Sequence, residues 1–290
     1  TLSSSSAASD VYKRQLLMIS LVMVSCSKSE DVANSVNLHF NNTFKNTTIV
    51  LGSADSPAAS TNTSASGQLH QFSELKYVIS NIRLIKADGS EIPYNVNDLD
   101  KGATVIDQAK AATLNYVLSN IPVGEYKQIK FGLGVKQEIN TLDQLRFPVF
   151  YATAGANDTK MHWEWGTGYR FTKLEGFYDA DHKELSIHTG STINGTNGDE
   201  STYKQGVDAY RDITLNLPSL VTVGKSVPQI NIKADFDKLL SGKTNTITLG
   251  ANNAVPSIHS AVEMVKFVDN LGGNGSSDTA GMFTVESVSN

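Results

Sequence analysis

The sequence predicts an all-β protein, an antiparallel β-sandwich with long loops and one or two short helices. Three observations predict this class: short segments of alternating apolar and polar residues, few charged side chains, and frequent turn residues. Charged residues make up only 18% of the 290 residues, while 22 glycines and seven prolines supply turns. The net charge of −5, with no cluster of Lys and Arg, argues against nucleic acid as a partner.

Segments of strand length follow one another along the chain. Residues 36–40 (VNLHF) place Val, Leu and Phe on one face and His39 on the polar face, and TIVLG follows as a second strand. The pair Asp88-Gly89 between two apolar runs predicts a β-hairpin. Further strands are predicted at residues 126–133, 184–191, 210–217, 228–236 and 282–288.

Helical periodicity is clear in one segment. Apolar residues recur at helical spacing over residues 256–270, and a Leu-Gly-Gly sequence follows them. Residues 142–152 (LDQLRFPVFYA) fit either a helical turn or a strand. Because no linker or solenoid repeat divides the chain, residues 36–290 are predicted to form a single domain.

The N-terminal residues predict export and a lipid anchor. Lys13 and Arg14 precede a short apolar run that ends at Cys26, the chain's only cysteine, so no intramolecular disulfide can form. The run has the length of a signal-peptide core, and Val24-Ser25-Cys26 resembles a lipobox, which predicts that Cys26 is lipidated. We therefore expect an outer-membrane lipoprotein, periplasmic or at the cell surface.

The N-terminal boundaries follow from this interpretation. Residues 1–26 would comprise a non-native leader followed by the signal peptide. The leader, as far as Gln15, resembles a translated assembly artefact. Residues 27–35 would be a tether, and its SKSED sequence resembles the acidic tether of surface lipoproteins from Bacteroidetes.

Both tryptophans lie in the stretch MHWEWGTGYRFTKLEG, residues 161–176. On one strand Trp163 and Trp165 would share a face, with His162 and Glu164 on the other. The following Gly-Thr-Gly, which ends at Gly168, interrupts the strand.

His188 follows this stretch after a predicted hairpin. A turn centred near Asp181 would set Ile187 and His188 opposite Leu174 and Glu175. Trp163 would then lie roughly 35 Å away along a regular strand. The two rings can meet only if the glycine break folds the tryptophan segment back.

The same stretch, with the later Ile-His-x-Gly, resembles the MbnP family of copper-binding proteins. The matching residues are Met161, Trp163, Trp165, Gly168, Tyr169, Phe171, Glu175, Gly176, Ile187, His188, Thr189 and Gly190. Segments 74–84, 120–135 and 230–242 are similar as well, so the resemblance covers most of residues 36–285.

The resemblance implies an exported β-rich protein that binds copper, as Cu(I) or Cu(II), through histidine imidazoles. It also implies that a tryptophan, Trp163 or Trp165, is oxidised to kynurenine by a di-haem cytochrome c peroxidase-like partner and helps to bind the metal. His188 is the best-matched ligand, and His39, His70 or His259 would supply the second. His162 does not match the family pattern.

The residue types themselves are consistent with copper. Imidazole suits several transition metals, and no thiolate remains once Cys26 is lipidated. Two other interpretations of the tryptophans stay open: packing in the core, and an aromatic platform for glycan on a surface lipoprotein. A glycan platform requires exposed coplanar rings, whereas a copper site requires histidines that converge on the indoles.

An enzyme is the third class, and we expect that the protein is not one. The chain has no nucleophile elbow, Walker loop, Rossmann glycine pattern or HExxH motif. Its clustered carboxylates (Glu164, Glu175, Asp179, Asp181 and Glu184) lie mostly in a turn, where solvation explains them.

Overall fold

A computed structural model describes residues 32–155, 160–163, 168–242, 245–251, 257–258, 261–272 and 281–290. The residues from Ala33 to Asn290 form one compact unit. In chain order the strands are β1 (Val36–Phe44), β2 (Thr47–Thr48), β3 (Asn62–Thr63), β4 (Leu69–Lys86), β5 (Glu91–Tyr94), β6 (Thr104–Asp107), β7 (Asn115–Leu118), β8 (Gly124–Leu133), β9 (Thr172–Tyr178), β10 (Lys183–Thr189), β11 (Ile193–Thr196), β12 (Asp199–Gln205), β13 (Arg211–Val223), β14 (Gln229–Asp235), β15 (Ser257–Ile258) and β16 (Phe283–Ser289).

The described helices are short. They are α1 (Leu99–Gly102), α2 (Pro148–Phe150), α3 (Asp237–Leu240) and α4 (Ala261–Leu271). A 3₁₀ turn covers Ala111–Leu114, and a π-helical turn, Tyr151–Gly155, follows α2. Among these described helices, none is long and apolar enough to cross a lipid bilayer.

Two sheets form the sandwich, which confirms the predicted fold class. The smaller sheet has the order β16-β14-β1-β2, with β7 beside β1, and the larger has the order β13-β8-β4-β9-β10-β15, with β3, β5 and β6 also paired to β4. Most pairs are antiparallel, but β1–β14 and β10–β15 are parallel. Parallel neighbours need a long crossover connection, and nearly the whole domain lies between β1 and β14.

Aromatic rings from both sheets fill the space between them. Phe40 of β1 packs edge-on against Tyr77 of β4 and Phe131 of β8, with ring centroids 6.1 Å and 6.3 Å apart. Phe283 of β16 packs 5.2 Å from Phe131. Tyr77 therefore marks the inner face of the larger sheet, which fixes the direction of every side chain in register with it.

The predicted elements agree with the observed ones in most places. The hairpin at Asp88-Gly89 joins β4 to β5, with Gly89 at φ +93°, and the final strand is β16. β1 buries Val36, Leu38 and Phe40 and keeps His39 on the polar face, as predicted. Residues 142–152 contain the helical turn α2 rather than a strand.

Three predicted elements differ from the observed ones, two in extent and one in register. Of the predicted strand TIVLG, residues 48–52, only Thr48 belongs to β2, because the chain leaves the sheet edge after pairing with Thr43 and Phe44. The late helix begins at Ala261, because Ser257–Ile258 pair with β10 as a strand. The β9–β10 hairpin is shifted by one residue, so Ile187 pairs with Leu174 and His188 with Lys173.

Candidate metal centre

The shifted register decides which side chains accompany His188. Rows across β4, β9 and β10 join Leu75 to Leu174 and Ile187, and Lys76 to Lys173 and His188. Because Tyr77 faces the smaller sheet, its odd-numbered neighbour Leu75 does too, and the row that contains His188 points to the outer face. With the register predicted from sequence, His188 would pair with Leu174 and lie on the inner face, away from Glu175.

A folded-back segment covers this outer face. Trp163 N donates to Gly168 O at 2.9 Å, Arg170 N donates to Met161 O at 2.8 Å, and His162 and Tyr169 form an antiparallel bridge. The chain therefore reverses between Trp163 and Gly168, as the sequence required if the indole was to reach His188. Trp165 lies between them, outside the described residues.

Two motif glycines make the close packing possible. Gly168 has φ +85°, and a Cβ there would lie 2.4 Å from Asn140 Oδ1. A Cβ on Gly190 would lie 2.8 Å from Tyr169 O and 3.2 Å from Trp163 Nε1. Any larger residue at either position would displace the folded-back segment or the indole itself.

Trp163 lies between a histidine and an arginine. Its ring centroid is 5.7 Å from that of His188, with the planes tilted by 57°, and the Arg170 guanidinium carbon lies 4.4 Å from the indole centroid. Arg170 Nη1 donates to Lys160 O and His162 O, each at 2.6 Å, which holds the cation in place. All three side chains are buried, at 3%, 6% and 6% exposure.

Glu175 orients the His188 ring from the other side. His188 Nε2 lies 2.5 Å from Glu175 Oε1. Burial raises the pKa of Glu175, but hydrogen bonds from His188 and Ser186 and the nearby charges outweigh it and bring the pKa below its usual value. An ionised carboxylate that accepts from one ring nitrogen orients the imidazole and increases its basicity, an arrangement common around metal-bound histidine.

A row of charged side chains, with buried lysines and partly exposed glutamates, continues from Glu175 across the outer face. Glu74 pairs with Lys76 at 2.5 Å and with Lys173 at 2.7 Å, and Lys76 lies 3.8 Å from Asp107. Burial raises the pKa of Glu74, but its hydrogen bonds to Lys173 and Lys76 lower it overall. The outer face near His188 therefore carries a row of ion pairs that join β4, β6 and β9.

His162 is buried beside this group but is engaged elsewhere. Its Nδ1 and Nε2 atoms lie 3.1 Å and 3.3 Å from the carbonyl oxygens of Trp163 and Thr141. Its ring packs edge-on against Tyr151 and Tyr169. Burial lowers its pKa, which favours the neutral ring. A structural role explains these contacts.

Two of the other predicted ligands, His39 and His70, do not meet His188. His39 points away from the core on the smaller sheet, where its Nδ1 lies 2.9 Å from Asn115 Oδ1, so both sheets separate the two rings. His70 stacks on Phe44 between the sheets, with ring centroids 6.1 Å apart. His259 and Cys26 lie outside the described residues. Over the part of the chain that the structure describes, no three His, Cys, Asp or Glu side chains gather around a common point.

The remaining motif residues have structural roles in the packing around this centre. Met161 and Tyr169 are fully buried, and Tyr169 packs 5.0 Å from Phe150. A Cβ on Gly176 would lie 2.2 Å from Gln71 O, so β9 and β4 approach closely only because this residue is glycine. Arg170 was missed from the sequence. The signal was available: it is the one cation between the aromatic residues Tyr169 and Phe171 of the motif.

The burial of Trp163 bears on the glycan interpretation. A carbohydrate platform needs exposed rings, and the Trp163 ring is 3% exposed and covered by Arg170. Trp163 therefore does not meet the requirement set for a glycan-binding surface.

Comparison with known proteins gives two findings. The model of the MbnP family matches residues 33–260. Among solved structures, MbnP from Methylosinus trichosporium aligns with a TM-score of 0.51 at 14% identity, covering 87% of this chain and 97% of that one. At that identity the alignment shows a shared fold. No curated protein matches the chain significantly.

Proposed function

Because the chain belongs to the MbnP family, we propose that it is an exported, lipid-anchored copper-binding protein whose Trp163 is oxidised by a di-haem peroxidase-like partner. In this proposal it binds metal and is a substrate of the partner, rather than an enzyme. The observation that supports it best is the contact of Trp163 with His188, whose ring is in turn oriented by Glu175. These are the parts that a metal site built on a modified tryptophan requires.

The donor set fits copper in part before oxidation and more fully after it. His188 supplies one imidazole, a ligand type that suits copper. Indole itself is a poor ligand, whereas its ring-opened oxidation product carries a carbonyl oxygen and an aromatic amine. The second ligand would come from this product. Bound copper would be the redox-active group or the cargo of the protein.

The decisive experiment compares copper retention before and after tryptophan oxidation. The chain from Ser27 onward, which includes the whole unit Ala33–Asn290, is loaded with copper and dialysed, either as expressed or after treatment with the haem partner. We expect stoichiometric copper in the oxidised protein and its loss in His188→Ala. His39→Ala removes a histidine of the opposite sheet and serves as the matched control.

Two outcomes would contradict the proposal. One is oxidised protein that retains no copper, and the other is a His188→Ala protein that retains as much as the parent. Intact mass and fragment-ion spectra of Trp163→Phe and Trp165→Phe proteins identify the modified residue. We expect oxidation to persist in Trp165→Phe and to disappear in Trp163→Phe.

The anchor has a separate test. We expect the full chain expressed in a Gram-negative host to incorporate labelled fatty acid and to sediment with membranes. Cys26→Ser should do neither. A membrane-bound, labelled Cys26→Ser protein would contradict the anchor.

A further inference from the structure

The strongest unexplained feature of the centre is the arginine stacked on the indole. Arg170 lies 4.4 Å from the Trp163 ring centroid and is 6% exposed. Two backbone carbonyls hold its Nη1, so the cation cannot swing away without the loss of both hydrogen bonds. Neither the oxidation of Trp163 nor the binding of copper to His188 calls for a cation at this position.

A fixed cation has a definite effect on the oxidation of its neighbour. A neutral indole attracts the guanidinium through its electron-rich face, which stabilises the reduced state. Removal of one electron turns the indole into a radical cation, and the attraction becomes repulsion between like charges. Because both groups are buried, solvent screens this repulsion weakly.

We propose that Arg170 is a positioning residue that raises the one-electron oxidation potential of Trp163 and aligns the indole with His188. This inference rests on the proposed function and deepens it. The indole would then resist weak, adventitious oxidants and yield an electron only to a strong one, such as the high-valent haem of a peroxidase-like partner. In that step the oxidant gains the one electron that the indole loses.

The test measures oxidation without copper. In a Trp165→Phe background, Trp163 is the only tryptophan, because the chain has two. The chain from Ser27 is exposed to photogenerated tris(bipyridine)ruthenium(III), and the loss of Trp163 is followed by fluorescence and mass. Arg170→Met removes the charge but retains an apolar stem, whereas Arg170→Lys retains the charge.

We expect Arg170→Met to be oxidised on the order of tenfold faster than the parent, because the charge repulsion is lost. Arg170→Lys should remain close to the parent. An oxidation potential of Trp163 that is lower than the parent's in Arg170→Met, but equal to the parent's in Arg170→Lys, would support the inference. Acrylamide quenching and thermal melts show whether either variant exposes the indole.

Two results would overturn the inference: equal rates in Arg170→Met and the parent, or equally raised rates in both variants. The second result would mean that Arg170 only shields the ring. Failure of the copper proposal is a different result, since no copper enters this assay. A protein that never binds copper can still show the charge-dependent rate.

Discussion

The rings of Trp163 and His188 lie 5.7 Å apart, although they belong to separate segments of the chain. His188 belongs to β10, and Trp163 lies in the folded-back segment held by Met161 and Gly168. The indole can take this position because Gly190, which follows the His188 strand, leaves the space that the indole nitrogen fills. The contact depends on the backbone pairing of Trp163 with Gly168 and of Arg170 with Met161, and on two glycines.

The first prediction concerns the glycine that permits the reversal. Gly168→Ala should lower the free energy of unfolding by roughly 3 kcal/mol, because it adds both a backbone strain and a clash with Asn140. Gly67 has the same φ of +85° but no heavy atom within 4 Å of an added Cβ. Gly67→Ala should therefore cost only about 1 kcal/mol. Urea denaturation of both variants measures the difference.

Equal losses in the two variants would show that close packing at Gly168 contributes nothing beyond its backbone conformation. Near-ultraviolet circular dichroism adds a second measure. It should change in Gly168→Ala, because the tryptophan environment moves, and stay as in the parent for Gly67→Ala.

The second prediction concerns the carboxylate behind His188. In protein whose Trp163 has been oxidised, Glu175→Gln should weaken copper affinity about 10- to 100-fold, since the carboxylate orients the ring and increases its basicity. Glu184→Gln removes one exposed carboxylate from the same hairpin and is the matched control. Competition with a chromophoric chelator measures both. An unchanged copper affinity in Glu175→Gln would show that Glu175 does not contribute to the site.

The third prediction concerns the charge array. Glu74→Ala leaves Lys76 and Lys173 without their shared carboxylate in a buried position. We expect a loss of roughly 2 kcal/mol, reduced from that of a fully buried pair because Glu74 is partly exposed. Glu91→Ala breaks an exposed pair with Lys130 and should cost less than about 1 kcal/mol. Similar losses in the two variants would contradict the burial argument.

The fourth prediction concerns His70, which is 1% exposed. Burial lowers its pKa to about 4, with a smaller opposing effect from Asp179. The unfolded chain therefore binds the proton more readily, and stability that is present above pH 6.5 is lost as the pH falls toward 4. The loss attributable to this residue should reach roughly 3 kcal/mol.

Urea denaturation at several pH values gives the slope of the free energy of unfolding against pH. His70→Leu should flatten it between pH 6.5 and 4, the window set by the ordinary and lowered pKa values. His182→Asn, at an exposed turn position, should leave the slope as in the parent. A His70→Leu protein with the parent's slope would assign the acid sensitivity to other groups.

The sequence by itself determined the sandwich class, most of the strands and the Asp88-Gly89 hairpin. These depend on side-chain alternation and turn chemistry, which are local properties of the chain. The tryptophan motif was also evident from the sequence. Strand spacing showed that Trp163 could meet His188 only if the glycine break folds the tryptophan segment back.

Only the tertiary structure decided what surrounds His188. The observed β9–β10 register differs by one residue from the register predicted from sequence. A difference of one residue reverses which side chains share a face, so Glu175 lies on the same side as His188. His39 lies on the outer face of the smaller sheet and His70 packs on Phe44 between the sheets, while Arg170 contacts the indole beside its backbone pairing with Met161. These contacts join residues distant in sequence, and no local pattern encodes their pairing.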